Sequence, residues 1–475
     1  MGLFYKEYYE KLKVNFVHTP TEEQDHLLLQ LATYVFEDQT DDVFLIRGYA
    51  GTGKTSIIST LVRTLRDRRI PTVLMAPTGR AAKVLTAYSA WKASTIHRRI
   101  YFAMTNSAGN LVLKLQKNKL KNAVFIIDEA SMIPDERAEE RSGGRSLLDD
   151  VMEFVFSGEN CKLILVGDVA QLPPVGLTVS PALNSVYLKN TYRNQVRKYE
   201  LTQVVRQKKE SGILLNATRL RQIMLSKKYQ PPYFDIYGYK DVIRVTSNEL
   251  MDEIVSSYDL IGQDDTVLIT RSNKRANQYN MAVRTQILQR ENEIEAGDIL
   301  MIVKNNYFWL ETTSKAGFLA NGDLIEVMAI RDIEEKHGFR FATIDARLID
   351  YPEEEEITVK VILDTLATEG PALSSDQNNN LYNSVLQEYM DIGDKKTRLE
   401  KVRNDGYFNA LQIKFAYAMT CHKTQGGQWH TIFIDQGYMT PERMDLDFLR
   451  WLYTAITRAT KRVFLINFMD EMFVE

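Results

Sequence analysis

The chain has 475 residues, room for about three domains, with 44% hydrophobic and 25% charged residues and a formal net charge of −3. That is the composition of a folded soluble protein, and it excludes a globally basic surface, so nucleic-acid binding would need a local groove. No apolar run approaches the ~18 residues of a membrane span, the charged start MGLFYKEYYEKLKV has no signal-peptide core, and the two cysteines, Cys161 and Cys421, fit a reducing, cytoplasmic setting without a disulfide.

Residues 20–36 read as a helix capped by Thr21, with Gln24 three positions on as its capping-box partner. Apolar runs at 43–46, 73–76, 124–127 and 163–166 read as short parallel strands, each ending in polar residues. Between the second and third runs, 100–104 and 111–115 can pair across a turn containing Asn106 and Gly109, predicting a β-hairpin inserted in an α/β domain. A second alternating region begins near residue 201, with a strand at 267–270 and a helix over 271–288. Residues 297–409 differ: 299–303, 324–330, 340–349 and 357–363 read as strands of a small β unit, followed by a polar loop and one charged helix to about 402. The α/β pattern resumes at Ile413.

Three motifs carry chemistry. GYAGTGKT, residues 48–55, fits the phosphate-loop pattern G-x-x-x-x-G-K-[ST], with a strand before it and helical spacing after it. Gly48, Gly51 and Gly53 let the backbone, with Thr52 in the same loop, approach a polyphosphate at a helix N-terminus. Lys54 would reach the β- and γ-phosphates of ATP, and the Thr55 hydroxyl would hold Mg²⁺. Asp128 and Glu129 close the strand in IIDEAS, where Asp128 is placed for Mg²⁺ and Glu129 for polarising an attacking water. In VGDVAQLPPVG, residues 166–176, the Gln171 amide can contact both a γ-phosphate and that water. The stiff Pro173-Pro174 exit can pass the contact to another domain.

Read in order, GYAGTGKT, APTGRAA (76–82), STIH (94–97), IIDEAS, GDVAQLPPVG, LTQVVRQ (201–207), MTCHKTQGGQW (419–429) and LYTAITRA (452–459) resemble the motif series of superfamily 1 helicases, most closely the 5′-to-3′ RecD/Dda-like group. The resemblance spans nearly the whole chain. It implies two RecA-like parallel-sheet domains. The first is 1–200 with a pin hairpin at about 98–121. The second is 201–296 plus 412–475, with an SH3-like β-rich insertion at 297–411.

The resemblance also implies roles. Gln24 reads the adenine edge, serves the capping box, or does both. Arg206 and Arg458 are arginine fingers on the γ-phosphoryl group. Gln425 links nucleotide state to the second domain. Thr78, His97, Thr420, His422 and Lys423 contact the single strand through its phosphates, which carry no sequence information. Tyr101 and Phe102 are the pin's wedge aromatics, or else its own core. Trp309 and Phe308 stack bases, or else pack locally. The implied function is ATP-dependent, 5′-to-3′ translocation on single-stranded DNA with unwinding at single/double-strand junctions. The implied protein is a functional monomer with accessory replication or repair partners and no membrane. An RNA-directed translocase and a slow phosphate-loop ATP switch are the alternatives.

Overall fold

The computed structural model describes residues 2–37, 42–105, 111–136, 144–205, 211–310, 314 and 318–473. The strands of the first half are β1 (Asp42–Gly48), β2 (Thr72–Ala76), β3 (Ala93–Thr95), β4 (Tyr101–Thr105), β5 (Leu111–Leu115), β6 (Val124–Ile127), β7 (Lys162–Gly167) and β8 (Gln195–Leu201). Six of them form one parallel sheet in the order β3-β2-β6-β7-β1-β8. β1 shows why the sheet is buried on both faces. Phe44 and Ile46 pack with Tyr8, Leu27 and Leu61 on one side, and Val43 and Leu45 pack with Leu147 and Val151 on the other. Side chains alternate across a strand, so an unbroken apolar run fills two cores.

β4 and β5 pair antiparallel, with Tyr101 opposite Leu115, and form the expected hairpin. The strands of the second half are β9 (Val242–Val245), β10 (Thr266–Thr270), β11 (Ile299–Ile302), β12 (Leu324–Lys336), β13 (Phe339–Leu348), β14 (Ile357–Ile362), β15 (Leu411–Phe415), β16 (Ala418–Thr420), β17 (Trp429–Asp435) and β18 (Ala459–Ile466). A second parallel sheet has the order β16-β10-β17-β18-β9. β11 to β15 close into a barrel. The fold is therefore α/β, with two parallel sheets, a hairpin inserted in the first half and a small β-barrel in the second.

The barrel corrects one expected boundary. Leu411–Phe415 pairs with β11 and β14 instead of resuming the second sheet, which restarts at Ala418. The chain leaves the barrel at Ala416 and enters the sheet at Ala418, and no polar residue between them marks the change. A buried ion pair ties the two units together at the other end of β11. Arg284 places Nε 3.0 Å from Asp298 Oδ1, and Asp298 also accepts from Arg290 Nη1 (2.6 Å) and the Tyr417 hydroxyl (3.0 Å). Removing one partner of such a pair costs about 3–5 kcal/mol, because the other charge stays buried.

Other elements differ in extent. The helix expected over 271–288 is Asn273–Ala282 followed by a wider turn at Val283–Ile287. The single charged helix is two, Ser375–Gln387 and Lys395–Arg403, with the break over 388–394. Among the described residues, no helix is long and apolar enough to cross a membrane.

Candidate nucleotide site and single-strand track

The phosphate loop joins β1 to the helix Lys54–Asp67. Gly53 stands at that helix's N-cap with φ of 90°, a left-handed conformation that glycine adopts without penalty. A Cβ there would also lie 2.3 Å from Gln24 Nε2. Lys54 Nζ donates to the carbonyls of Gly48 (2.7 Å) and Tyr49 (3.0 Å) and lies 3.9 Å from Asp168 Oδ2. Thr55, one residue on, is exposed at the helix start, and the Thr52 hydroxyl turns back to the Tyr49 carbonyl at 2.9 Å.

Gln24 is engaged inside the protein. Its Oε1 accepts from the Thr21 amide (3.0 Å), and its Nε2 donates to the Thr52 carbonyl (3.1 Å). The capping-box role is thus realised, and the same side chain props the loop.

The acidic pair follows β6. Asp128 accepts from the Glu129 amide at Oδ1 (2.9 Å) and from the Tyr88 hydroxyl at Oδ2. Burial, and the Glu129 charge beside it, push its pKa up to about 6. Glu129 has φ of 52°, uncommon for a side chain with a Cβ. Strain of this kind collects at functional sites. Asp128 and Thr55 offer hard oxygen donors, and a divalent cation would relieve the charge crowding at Asp128, so the donor set suits Mg²⁺. Among the described residues no cluster of three or more acidic, His or Cys side chains forms a complete metal cage. The other ligands would come from nucleotide phosphates and water, as is usual for Mg²⁺.

The second wall comes from the helix Leu446–Ile456 and the turn after it. Arg458 is only 4% exposed, with Nη1 3.7 Å from Glu129 Oε1. Its Nε donates to the Thr454 carbonyl (3.2 Å), which fixes its direction. The Tyr453 hydroxyl donates to Asp168 Oδ2 (2.7 Å) and accepts from the Ala50 amide of the phosphate loop (2.8 Å). Thr454 Oγ1 accepts from the Leu172 amide (2.9 Å), and Gln425 Nε2 donates to the Leu172 carbonyl (2.7 Å). Gln425 therefore grips the segment just after Gln171 from the second sheet. Gln171 itself is buried beside Asp168 in a cavity between the sheets. Arg206 lies outside the described residues.

Tyr453 and Thr454 do this joining, and Tyr88 holds Asp128 within the first half, without having been singled out in the sequence. Tyr453 and Thr454 sit inside LYTAITRA, where the alternation of hydroxyls with apolar residues was the available signal. Tyr88 carried none, being an ordinary aromatic on a helix.

The expected strand contacts cluster at the carboxyl ends of both sheets. Thr78 caps the helix Gly79–Ser89, its hydroxyl accepting from the Ala81 amide at 3.2 Å. It also faces Gly426, where a Cβ would lie 3.1 Å from Thr78 Oγ1. Arg80 stacks 3.9 Å above the Trp429 ring, a further contact between the two halves. His97 packs against Tyr101 and, from the barrel, Phe318. Thr420 precedes the short helix Cys421–Thr424, on which His422 is exposed.

The barrel loop 319–323 bridges these motifs. Lys423 Nζ donates to Asn321 Oδ1 at 2.7 Å, and burial lowers the Lys423 pKa to about 8. Asp323 is buried against Gly79, where a Cβ would lie 2.5 Å from its Oδ1. That oxygen has no hydrogen-bond partner, and burial raises the Asp323 pKa to about 8.

The hairpin aromatics separate. Tyr101 is 5% exposed, and its hydroxyl donates to Asp150 Oδ2 at 2.5 Å. It is core, the second of its two expected places and not the wedge, because it faces the helix Leu147–Phe156. Phe102, on the other face, is 46% exposed. Trp309 is tied by Nε1 to the Asn409 carbonyl (2.7 Å) and packs locally, with Phe308 edge-on against it at 4.9 Å.

A family model described as an AAA domain matches residues 21–230, and one described as a UvrD-like helicase C-terminal domain matches residues 415–466. An uncharacterized protein, R530, of Acanthamoeba polyphaga mimivirus is 22% identical, covering 91% of this chain and 96% of its own length. The ATP-dependent DNA helicase dda of Enterobacteria phage T4 is 23% identical, covering 89% of this chain and 93% of its own. The crystal structure of Pif1 helicase from Bacteroides in complex with ADP-AlF3 and ssDNA aligns with a TM-score of 0.46 at 16% identity, over 94% of this chain and 93% of that one.

Proposed function

We propose that this chain, which belongs to the RecD/Dda-like group of superfamily 1 helicases, hydrolyses ATP between its two parallel sheets and uses the cycle to move along single-stranded DNA and unwind duplex. The observation that carries the reading is Arg458, buried and reaching Glu129 from the opposite sheet. A phosphate loop alone binds a nucleotide. A water-activating carboxylate paired across a cleft with a guanidinium makes hydrolysis depend on how the two halves sit.

In this reading Lys54 leaves its carbonyl partners for the β- and γ-phosphates, and Glu129 orients the attacking water. Arg458, with Arg206, neutralises charge on the transferring group. Thr55 and Asp128 would hold Mg²⁺, which would supply positive charge against the charge of the phosphates. Gln171 senses the γ-phosphate, and Gln425 relays its position through Leu172 to the second sheet. Gln24, beside the loop, is placed to meet the base once its capping bonds are exchanged.

Thr78, His97, Thr420, His422 and Lys423 hold the strand by its backbone. Phe102 stacks on the last base pair at the junction. Movement is 5′-to-3′, the protein acts as a monomer with replication or repair partners, and the two buried free cysteines suit a reducing cytoplasm. The test is unwinding of partial duplexes with 5′ or 3′ tails, alongside ATP hydrolysis with matched single-stranded DNA and RNA. Hydrolysis that does not rise with DNA overturns the reading, and equal or greater stimulation by RNA moves it to the RNA alternative.

A further inference from the structure

A cavity of about 160 Å³, partly open to solvent, lies beside Asp168, walled by the first sheet's loops and, from the other side, by Arg450 of the helix Leu446–Ile456. Five polar atoms of its lining are buried without a hydrogen-bond partner: Arg47 Nε, Ser131 Oγ, Gln171 Oε1, Ser180 Oγ and Arg450 Nε. Ser131, Gln171 and Ser180 are 1%, 6% and 7% exposed. Orphaned buried groups are rare, and five around one cavity point to something that satisfies them together.

Both guanidiniums are anchored by other nitrogens. Arg47 Nη2 donates to the Leu183 carbonyl, and Arg450 Nη1 donates to the Thr178 carbonyl at 2.6 Å. Neither makes an ion pair among the described residues; Glu200 and Asp447 act on them only at longer range. Asp168 is the one carboxylate in the lining, and both its oxygens are engaged, by the Ala170 amide (2.9 Å) and the Tyr453 hydroxyl (2.7 Å).

We infer that this cavity is a binding site for inorganic phosphate, taken up after it is cleaved from ATP. The inference rests on the ATP-hydrolysing reading above. Two guanidinium Nε–H groups and two hydroxyls converge as donors for oxyanion oxygens, and guanidinium is the cation best suited to bind phosphate out of water. Gln171 Oε1 accepts the proton that monohydrogen phosphate carries. The volume takes one tetrahedral oxyanion with a few waters. The position is also suitable: Asp168, in the cavity wall, lies 3.9 Å from the phosphate-loop lysine. Because Arg450 comes from the second sheet, the site is complete only while the halves are together, and their separation opens it fully to solvent.

The test is isothermal titration of the full chain with inorganic phosphate in the presence of saturating ADP. The wild type should bind one phosphate. Arg450→Gln should weaken it at least tenfold, and Ser180→Val severalfold. Arg458→Ala should leave it within twofold, because Arg458 faces the nucleotide cleft instead. No binding by the wild type means the cavity holds water only and overturns the proposal. Loss in Arg458→Ala with retention in Arg450→Gln overturns it too, by placing phosphate in the cleft. DNA-stimulated hydrolysis, measured on the same protein, reports on the helicase reading separately: stimulated turnover without phosphate uptake removes this site alone.

Discussion

Arg458 and Glu129 meet at 3.7 Å across the junction of the two sheets, one on each side. In the proposed cycle the guanidinium turns to the γ-phosphoryl group, a stronger partner, and Glu129 is released to water. The pair is thus a resting contact between the two groups that chemistry needs apart. Arg458→Ala should lower kcat by about 10³-fold or more while ATP still binds. Equal losses in nucleotide binding and in turnover, measured by titration and single-turnover hydrolysis, would remove its finger role.

Lys54→Ala should reduce hydrolysis to background, since the developing phosphate charge loses its cation. The fold should hold, because Lys54 hydrogen-bonds to loop carbonyls, and Asp168, 3.9 Å from it, keeps the Ala170 amide and the Tyr453 hydroxyl as donors. Near-normal turnover, with an unchanged melting temperature, would show that the loop does not grip the γ-phosphate.

The two hairpin aromatics should give opposite phenotypes. Phe102→Ala should impair unwinding of tailed duplexes and leave DNA-stimulated hydrolysis intact. Tyr101→Ala should cost about 3 kcal/mol of stability or more, from the cavity and the lost Asp150 bond. A Phe102→Ala protein that unwinds normally would take the wedge off this hairpin face.

Asp323 should make stability depend on pH. Its folded pKa of about 8 lies well above that of an exposed Asp, so between those values the folded state holds a proton the unfolded state has released. Stability should fall as pH rises through that window and level off above pH 8. Asp323→Asn keeps the shape and cannot ionise, so its melting temperature should exceed that of the wild type by roughly 5 °C at pH 8 and by less at pH 5. Parallel pH profiles for the two proteins would refute this.

Tyr453→Phe removes one hydroxyl that serves both Asp168 and Ala50. A buried carboxylate loses a donor, at about 1–3 kcal/mol. The expected outcome is a drop in DNA-stimulated kcat larger than any rise in the KM for ATP. An increase in KM alone would mean the hydroxyl only shapes the loop.

The parallel sheet of the first half was legible because its strands are apolar runs ending in polar motifs. β8, QVRKYEL, was not: it lies at the sheet edge, where one flank meets water and the apolar signal is diluted. Barrel closure by β15 was hidden for the opposite reason, since one apolar stretch serves two sheets. The site's charged members could be read from motif spacing. Their cross-lobe connections could not, because Tyr453 and Thr454 act through hydroxyls whose partners lie hundreds of residues away. The burial of Tyr101 depended on which hairpin face meets the helix Leu147–Phe156, and nothing local to the hairpin encodes that.

The stack of Arg80 on Trp429 has a mechanical consequence. It joins the halves beyond β2, whereas the Tyr453 junction lies at the phosphate loop beyond β1, with β6 and β7 between them on the same edge of the sheet. Arg458 on Glu129 and Arg450 on the Thr178 carbonyl fasten the same halves. In the proposed cycle, a nucleotide that moves one half against the other therefore works on several contacts at once, and together they set the stiffness of the joint.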